Sequence, residues 1–399
     1  MVLRSSYRFC RLSMISNRAS KIEASPTLAI DAKAKNMRKN GIHVINFSVG
    51  EPDFPTPENI KEAAIKAINE DFTYYTPASG IPELREALVK KLKSFNGLDY
   101  DPDQISISCG GKHSLFNIMQ VILNPGDEVL LPVPYWVSYL EQIKLAGGKP
   151  ILVPTDSQYK IHAELLKEKI TDRSRLLILN SPSNPAGTIC EEEELRKISE
   201  IILEKDLWII SDEVYESFIY DGKKHASIAS LNQDVYNRTI ISNSFSKTYS
   251  MTGWRVGYTA GPIEIIKAIN SFQSHVTSNP NSIAQKAALE ALLGSQNSVR
   301  KMIDSFDKRR KYILKRFKEI SELDCNVPEG AFYVFPKIVG VKMKSMDFAK
   351  KILKELHVAL VPGIAFGINE NLRLSYAISI EDIEKGLNRI EEFCKKNIK

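Results

Sequence analysis

The chain has 399 residues, of which 43% are hydrophobic and 26% are charged. This length and this apolar share argue against a disordered protein and suit one large domain joined to a smaller one. The 54 basic and 48 acidic residues leave a net charge of +6. Because the two signs are interleaved along the chain, no surface is predicted for nucleic acid or for an anionic membrane.

The sequence indicates neither a membrane span nor a metal site. No run approaches the ~20 consecutive apolar residues that a membrane-spanning helix needs. Zinc-ligand spacing is absent from the five scattered cysteines, which are Cys10, Cys109, Cys190, Cys325 and Cys394. Such cysteines suit a reducing compartment, and we expect a cytoplasmic protein without disulfides or bound metal.

The first 18 residues have an unusual composition, with four arginines, several serines and no acidic residue. This composition is typical of an organellar transit peptide, which would place the protein in an organelle. A start codon assigned too far upstream explains it as well, because Met14 would also serve. Residues 1–18 are therefore predicted to be an extension outside the fold.

After this extension, apolar runs of strand length alternate with helical patterns, which predicts an α/β fold. Ile81, Leu84 and Leu88 recur at helical spacing within IPELREALVKKL. The segment NPGDEVLLPVP predicts a turn at Pro125-Gly126 followed by a short strand.

Three apolar runs in the middle of the chain each end on polar residues, in SRLLILNSPSNPAGT, DLWIISDEVY and RTIISNSFSK. In an open α/β sheet, ligands bind beyond the carboxyl ends of the strands. We therefore expect Asn184, Asp212 and Lys247 to lie at one edge of the sheet.

The C-terminal part is predicted to be a smaller unit. A long charged helix starts near Ser298, the segment GAFYVFP predicts a strand, and a last helix begins at Ser379 with Asp382 placed for a capping bond. The buried face predicted for this last helix consists of Ile380, Ile383, Leu387, Ile390 and Phe393. The predicted division is an arm at 19–46 that packs with the small domain, a large domain at 47–295 and the small domain at 296–399.

Lys247 is the first candidate for chemistry. Burying a lysine at a strand end costs free energy unless the amine is paired or reacts, although a surface loop lysine is the commoner case. An amine held on a rigid strand end can form a Schiff base with an aldehyde such as pyridoxal phosphate. That cofactor also needs a carboxylate for its ring nitrogen, an anion site for its phosphate and a side chain that holds its ring flat.

Candidates for the ring contacts are present near the other two strand ends. A carboxylate at Asp212 would keep the pyridine nitrogen protonated, with a helix cap or a turn as its ordinary alternative role. Tyr215 and Asn184 could donate to the phenolic oxygen, which would stabilise the phenolate and lower the pKa of the imine. Trp136 could stack on the ring, or it could be an ordinary core tryptophan.

The segment CGGKHSLFN predicts the phosphate site. Gly110 and Gly111 precede a helical pattern, so backbone N–H groups at the start of that helix can face an anion. Ser244 and Arg255 flank Lys247 and could reach the same phosphate, whereas Ser246 is assigned a local structural role. No P-loop and no GxGxxG motif occurs, which disfavours nucleotide and nicotinamide cofactors.

Together these segments resemble the fold-type I pyridoxal-phosphate aminotransferases of class I and II, and among them the bacterial and archaeal aspartate aminotransferases. The resemblance runs from about Ala19 to about Cys394. It is carried by SVGEPDFPTP, YTPASGIPELREA, GGKHSLFN, PYWVSY, NSPSNPAGT, SDEVYE, SFSKTYSMTGWRVGY, GAFYVFP and LRLSYA. The fold that it implies is a mainly parallel seven-stranded sheet between helices, with a second, smaller α+β domain.

The resemblance also implies a role for each cofactor contact. Lys247 would be the Schiff-base lysine and the general acid and base, and Asp212 the partner of the ring nitrogen. The other implied contacts are Trp136 over the ring, Tyr215 and Asn184 at the phenolic oxygen, and the Gly111-Lys112 backbone, Ser244 and Arg255 at the phosphate. Tyr75, rather than Tyr74, matches a tyrosine that family members borrow from a neighbouring subunit, which implies a homodimer.

For the substrate, the resemblance implies that Arg373 binds the α-carboxylate beside Trp136 and Asn184, with Gly50 allowing close backbone approach. Lys112, with Thr27 or Ser25, would bind the distal carboxylate of aspartate or glutamate, although a solvated lysine at a helix start is the alternative for Lys112. Some relatives with this arrangement also take prephenate. The implied reaction is a ping-pong transamination with 2-oxoglutarate as acceptor.

Three other functions remain open on the sequence. A lyase or an aminocyclopropane-carboxylate synthase-like enzyme would use the same fold and cofactor. A transcription regulator built on the fold would need a DNA-binding module ahead of it, and only some 20 residues stand there. A cofactor-free relative is disfavoured because Lys247, Asp212 and Arg255 are all present.

Overall fold

The computed structural model describes residues 15–23 and 26–398. Most of the predicted N-terminal extension and Ser25 lie outside the described residues. The α-helices are α1 (Pro26–Lys39), α2 (Glu58–Asn69), α3 (Pro82–Lys91), α4 (Gly111–Ile122), α5 (Val137–Leu145), α6 (Ala163–Lys167), α7 (Glu192–Glu204), α8 (Gln233–Tyr236), α9 (Phe245–Thr248), α10 (Ile263–Val276), α11 (Ser282–Leu293), α12 (Asn297–Phe317), α13 (Ser345–Leu356) and α14 (Ile380–Lys396). The strands are β1 (Ile45–Asn46), β2 (Ile105–Ser108), β3 (Glu128–Pro132), β4 (Lys149–Val153), β5 (Ser174–Asn180), β6 (Trp208–Asp212), β7 (Thr239–Ser244), β8 (Gly257–Ala260), β9 (Leu323–Asp324), β10 (Tyr333–Val334), β11 (Lys337–Ile338), β12 (Val358–Ala359), β13 (Val361–Pro362) and β14 (Leu372–Ser375).

A seven-stranded sheet with the order β2-β8-β7-β6-β5-β3-β4 forms the centre of the protein. All neighbours are parallel except β8, which runs antiparallel to β7 and to β2. The predicted mainly parallel sheet is therefore confirmed. Within it, Asn180 lies opposite Asp212, and Asp212 lies opposite Ser242. The carboxyl ends of β5, β6 and β7 thus finish at the same edge.

Side chains of β5 show why helices cover both faces of this sheet. Leu176 and Ile178 point to one face, where they pack in a cluster with residues of α4 and α10. Leu177 and Leu179 point to the other face and pack in a cluster with residues of α7. A central parallel strand with apolar residues on both faces has to be covered on both sides.

The segment before residue 47 lies against the C-terminal part of the chain. Strand β1 pairs in parallel with β12, so that Ile45 lies opposite Val358. Strands β10, β14 and β13 form a separate small sheet in that part. These contacts agree with an arm that packs with a small domain, whereas the domain boundaries remain a prediction.

The C-terminal helix forms nearly as predicted. The hydroxyl oxygen of Ser379 accepts a hydrogen bond from the backbone N–H of Asp382 at 3.1 Å. The residues of its buried face, each with no exposed surface, are Ile383, Leu387, Ile390 and Phe393. The prediction that Ile380 is buried is wrong, because the first residue of the helix stands at the solvent edge with 39% of its surface exposed.

Two further details concern element bounds and membranes. Within GAFYVFP only Tyr333–Val334 forms a strand, and the long charged helix begins at Asn297, one residue before the predicted start. Of the helices in residues 15–23 and 26–398, none has both the length and the apolar composition that crossing a bilayer requires.

Candidate active site

A cavity of about 470 Å³ opens at the carboxyl ends of β5, β6 and β7. The residues predicted from the sequence that line it are Thr27, Gly50, Gly111, Lys112, Trp136, Asn184, Asp212, Tyr215, Ser244, Lys247, Arg255 and Arg373. Ser246, to which the sequence assigns only a structural role, lines it too. Tyr75 does not, because it lies on the surface with 90% of its area exposed, beside Tyr74 at 80%.

Asp212 occupies the end of β6 and is buried. Its Oδ2 accepts a hydrogen bond from the Tyr139 hydroxyl at 2.6 Å, and its Oδ1 accepts one from the Val214 N–H at 3.2 Å. Burial nevertheless raises the pKa of Asp212 to about 6. A cation placed against this carboxylate would stabilise its ionised form.

Lys247 lies in the short helix α9, directly after β7, and its Nζ donates to the Gly50 carbonyl at 2.5 Å. The pKa of Lys247 is lowered from 10.5 to about 8, chiefly by burial; the charges of Arg373 and Arg255 act in the same direction, while Glu51 opposes them. Desolvation is the largest cause because the amine lies in the interior.

The other end of the cavity has the features of an anion site. Gly110 precedes α4 with a φ of +90°, and a Cβ at this position would lie 2.5 Å from the Arg255 Nη2. Arg255 is held there by a bond of 2.8 Å from its Nη1 to the Thr252 carbonyl. Ser244 stands at the start of α9, where its Oγ accepts from the Ser246 N–H at 3.3 Å. The N-terminus of α4 and the Arg255 guanidinium therefore face the same part of the cavity.

Asn184 and Tyr215 are both oriented by neighbouring side chains. Oδ1 of Asn184 accepts from the Arg373 Nη1 at 3.1 Å, and the Asn184 N–H donates to Asn180 Oδ1 at 2.9 Å. The hydroxyl of Tyr215 is 2.8 Å from that of Tyr333. The two predicted donors to a phenolic oxygen therefore both lie close to Arg373. Asn184 contacts Arg373 directly, and Tyr215 contacts Tyr333, whose ring packs against the Arg373 guanidinium.

Arg373, in the middle of β14, is only 3% exposed. Its Nη2 donates to the Ser48 carbonyl at 2.7 Å, and its guanidinium lies 4.6 Å from the centre of the Tyr333 ring and 5.1 Å from that of Phe366. Its Nε has no hydrogen-bond partner among the described residues. A buried cation without an acidic partner is costly, and an anionic ligand would relieve that cost.

Lys112 and Trp136 lie next to each other on the cavity wall. The Lys112 Nζ is 5.1 Å from the centre of the Trp136 ring, and Trp136 makes an edge contact with Tyr139. Burial and the charge of Arg255 lower the pKa of Lys112. Thr27 approaches the same cavity from α1.

Comparison with known proteins decides the family. The model of the family "Aminotransferase class I and II" matches residues 42–390. The chain belongs to the class I and II aminotransferases. It is 46% identical to an aspartate aminotransferase of Bacillus sp. (strain YM-2) over 389 residues, which are 96% of this chain and 99% of the relative.

Two further relatives agree. A probable aspartate/prephenate aminotransferase of Aquifex aeolicus (strain VF5) is 46% identical over 385 residues, which are 95% of this chain and 98% of the relative. The crystal structure of the aspartate aminotransferase from Rhizobium meliloti matches with a TM-score of 0.93 at 41% identity, over 96% of this chain and 100% of that chain. The protein is thus a transferase that acts on amino acids and oxo acids, and the predicted family and fold are confirmed.

Sequence reasoning missed several residues that shape the site of this aminotransferase. Tyr139 donates to Asp212, and Asn180 holds both the Asn184 backbone and, through its Nδ2, the Asp212 carbonyl at 3.0 Å. Tyr333 contacts Tyr215, as described above. The strand-end position of Asn180 was a usable signal, because the neighbouring strand ends already carried candidates. For Tyr139 and Tyr333 the partners are distant in sequence, and only the fold brings them together.

A buried polar network lies behind Asp212 in the aminotransferase. Glu213 accepts hydrogen bonds from the hydroxyls of Ser211 at 2.8 Å and Ser227 at 2.6 Å, and the His225 Nε2 lies 3.0 Å from its Oε2. Burial favours the neutral form of Glu213, but the His225 charge and these donors outweigh burial and lower the pKa of Glu213. The residue next to Asp212 is therefore a buried, ionised carboxylate.

Proposed function

We propose that this aminotransferase moves the amino group of L-aspartate to 2-oxoglutarate by a ping-pong mechanism with bound pyridoxal phosphate. The observation that carries the proposal is that Lys247 and Asp212 line one cavity and that their pKa values are shifted in opposite directions. The pKa of Lys247 is lowered to about 8, and that of Asp212 is raised to about 6. Such a pair supplies an amine that loses its proton readily and a carboxylate whose ionised form a cationic partner would stabilise.

The cavity fits pyridoxal phosphate on its own chemistry. The Gly110 backbone leaves no room for a side chain beside Arg255, which suits a phosphate seated against the start of α4. Asp212 suits a protonated ring nitrogen, and Trp136 offers a flat apolar surface. The proposed contacts at the phosphate are Gly111, Lys112, Ser244 and Arg255, and those at the phenolic oxygen are Asn184 and Tyr215.

When bound, the cofactor supplies an aldehyde for the substrate amine and a cationic ring that withdraws electrons from the substrate Cα. Arg373 binds the α-carboxylate with its forked donors, while Gly50 allows the backbone to approach the substrate. Lys247, whose pKa is lowered to about 8, would take the proton from the substrate Cα as a base and deliver it as an acid to the C4′ carbon of the cofactor. Asp212 would hold the proton on the ring nitrogen.

Substitution of Lys247 tests the reaction. We expect Lys247→Ala to bind the cofactor without the visible absorbance of the wild type and to lose nearly all turnover, because the amine is both the attachment point and the base. Lys350→Ala, at an exposed position of α13, is the control and should behave as the wild type. Retained turnover in Lys247→Ala would end the proposal. Keto acid formed together with the aminated cofactor would distinguish a transaminase from a lyase.

The preference for aspartate rests on Lys112 and Thr27, which approach the cavity from α4 and α1, and on the names of the relatives. We expect Lys112→Ala to lower kcat/KM for aspartate and to leave that for alanine nearly unchanged, since only aspartate has a distal carboxylate. Equal loss for both substrates would count against this assignment. Prephenate is a second candidate acceptor because the Aquifex relative is named for it, and a panel of acceptors would show which is used.

We also propose a homodimer in which Tyr75 reaches the phosphate of the partner. The side chains of Tyr74 and Tyr75 are largely exposed, which supports the presence of a surface that a second copy of the chain would bury. We expect Tyr75→Phe to weaken cofactor binding and Tyr74→Phe, its matched control, to leave binding unchanged. Sedimentation as a monomer would contradict the proposal.

A further inference from the structure

Tyr333 joins two parts of the proposed site that the sequence treats as separate. It lies in β10 with no exposed surface, and its ring lies 4.6 Å beneath the Arg373 guanidinium. Its hydroxyl is 2.8 Å from that of Tyr215. A Cβ at Gly50 would lie 2.8 Å from the same hydroxyl, so the Gly50 backbone approaches it closely. Tyr333 therefore touches residues assigned to the substrate carboxylate and to the phenolic oxygen.

The direction of the hydrogen bond between the two phenols follows from the number of their protons. At 2.8 Å either hydroxyl could be the donor, and each has one proton to donate and two lone pairs that accept. When Tyr215 donates its proton to the phenolic oxygen of the cofactor, as the proposed function requires, only Tyr333 can be the donor within the pair.

We propose that Tyr333 is a positioning residue with two separable functions: its hydroxyl directs the Tyr215 proton toward the phenolic oxygen of the cofactor, and its ring supports the Arg373 guanidinium. This inference rests on the proposed function. Tyr333 itself forms no bond in the reaction. It acts through Tyr215 on the cofactor and through Arg373 on the substrate.

Two substitutions separate these functions. Tyr333→Phe removes the hydroxyl and keeps the ring, whereas Tyr333→Leu removes both. Donation to the phenolic oxygen favours the deprotonated form of the bound cofactor, so weaker donation raises the pH at which its visible absorbance titrates. Loss of one hydrogen bond of ordinary strength corresponds to a rise of roughly 0.4 to 1 pH unit.

The experiment is an absorbance titration of each holoenzyme against pH, followed by steady-state kinetics with aspartate. Tyr333→Phe is expected to raise the titration midpoint by that amount with KM unchanged. Tyr333→Leu is expected to show the same rise and, because the ring contact is lost, a roughly 2- to 30-fold higher KM. Tyr376→Phe is the matched control, since this fully buried tyrosine donates to the Ala331 carbonyl at 3.1 Å outside the cavity.

An unchanged midpoint in Tyr333→Phe would overturn the inference and leave Tyr333 a packing residue. A rise of the same size in Tyr376→Phe would also overturn it, because the shift would then reflect general loosening of the core. Failure of the proposed function looks different. In that case the wild type shows no visible cofactor absorbance to titrate, or Lys247→Ala retains turnover.

Discussion

The hydroxyl of Tyr139 donates to Asp212 Oδ2 at 2.6 Å, in the interior of the protein. Tyr139 also makes an edge contact with Trp136, so one side chain touches both the carboxylate and the flat residue of the proposed cofactor site. This bond stabilises the ionised form of Asp212 and opposes the effect of its burial. Tyr139 should therefore matter for binding although it bears no reacting atom.

We expect Tyr139→Phe to weaken pyridoxal phosphate binding by roughly 10-fold or more, because a hydrogen bond to a charged group is lost in the interior. Equilibrium binding to the apoprotein, followed by absorbance, measures the change. Tyr100→Phe is the control, since the buried Tyr100 hydroxyl has no partner among the described residues. An unchanged dissociation constant in Tyr139→Phe would show that the bond has no effect on the cofactor.

Asp212→Asn is expected to stabilise the apoprotein at pH 7. The folded-state pKa of Asp212 is raised from 3.8 to about 6, so above pH 6 the folded state bears the cost of a buried charge that the unfolded state does not. The expected gain in the free energy of unfolding is on the order of 3 kcal/mol and disappears as the pH falls from 6 to below 4. Urea unfolding of both proteins between pH 4 and pH 7 tests this, with the exposed Asp172→Asn as control. A gain that does not vary with pH would contradict the electrostatic cause.

His225→Gln is expected to destabilise the protein more at pH 6 than at pH 9. Burial lowers the pKa of His225, but Glu213 and Glu216 together outweigh burial and the charge of Lys91, so the net pKa is raised above 6.5. Its stabilising charge is therefore fully present below pH 6.5 and is lost as the pH rises through the folded-state value. At pH 6 the loss should be about 1–3 kcal/mol by urea unfolding. The exposed His275→Gln should show little change at either pH, and equal destabilisation of His225→Gln at both would argue for lost packing.

Arg373→Lys is expected to raise KM for aspartate and for alanine alike, on the order of 100-fold, because both carry the α-carboxylate and lysine lacks the forked pair of donors. Steady-state kinetics with the two substrates measure this effect. Arg309→Lys is the matched control, since Arg309 makes a two-point bond to Asp53, at 2.7 and 2.9 Å, away from the cavity. Normal KM values in Arg373→Lys would remove Arg373 from substrate binding.

Much of the fold could be predicted because its signals are local. Apolar runs such as RTIISN become β7, and the Ser379 cap forms as expected, since both depend on residues near one another in the chain. Ile380 is the instructive failure. Helical spacing shows which residues share a face, but it does not show where solvent begins at the end of that face.

The order of residues along the chain already contained the family motifs and the three strand ends that carry Asn184, Asp212 and Lys247. Only the tertiary structure determined the surroundings of those groups and therefore their pKa values. Desolvation depends on every atom packed around a group, so the pKa shifts of Asp212 and Lys247 have no local signal. The contacts of Tyr139 with Asp212 and of Tyr333 with Tyr215 join residues 73 and 118 positions apart, and packing alone brings them within bonding distance.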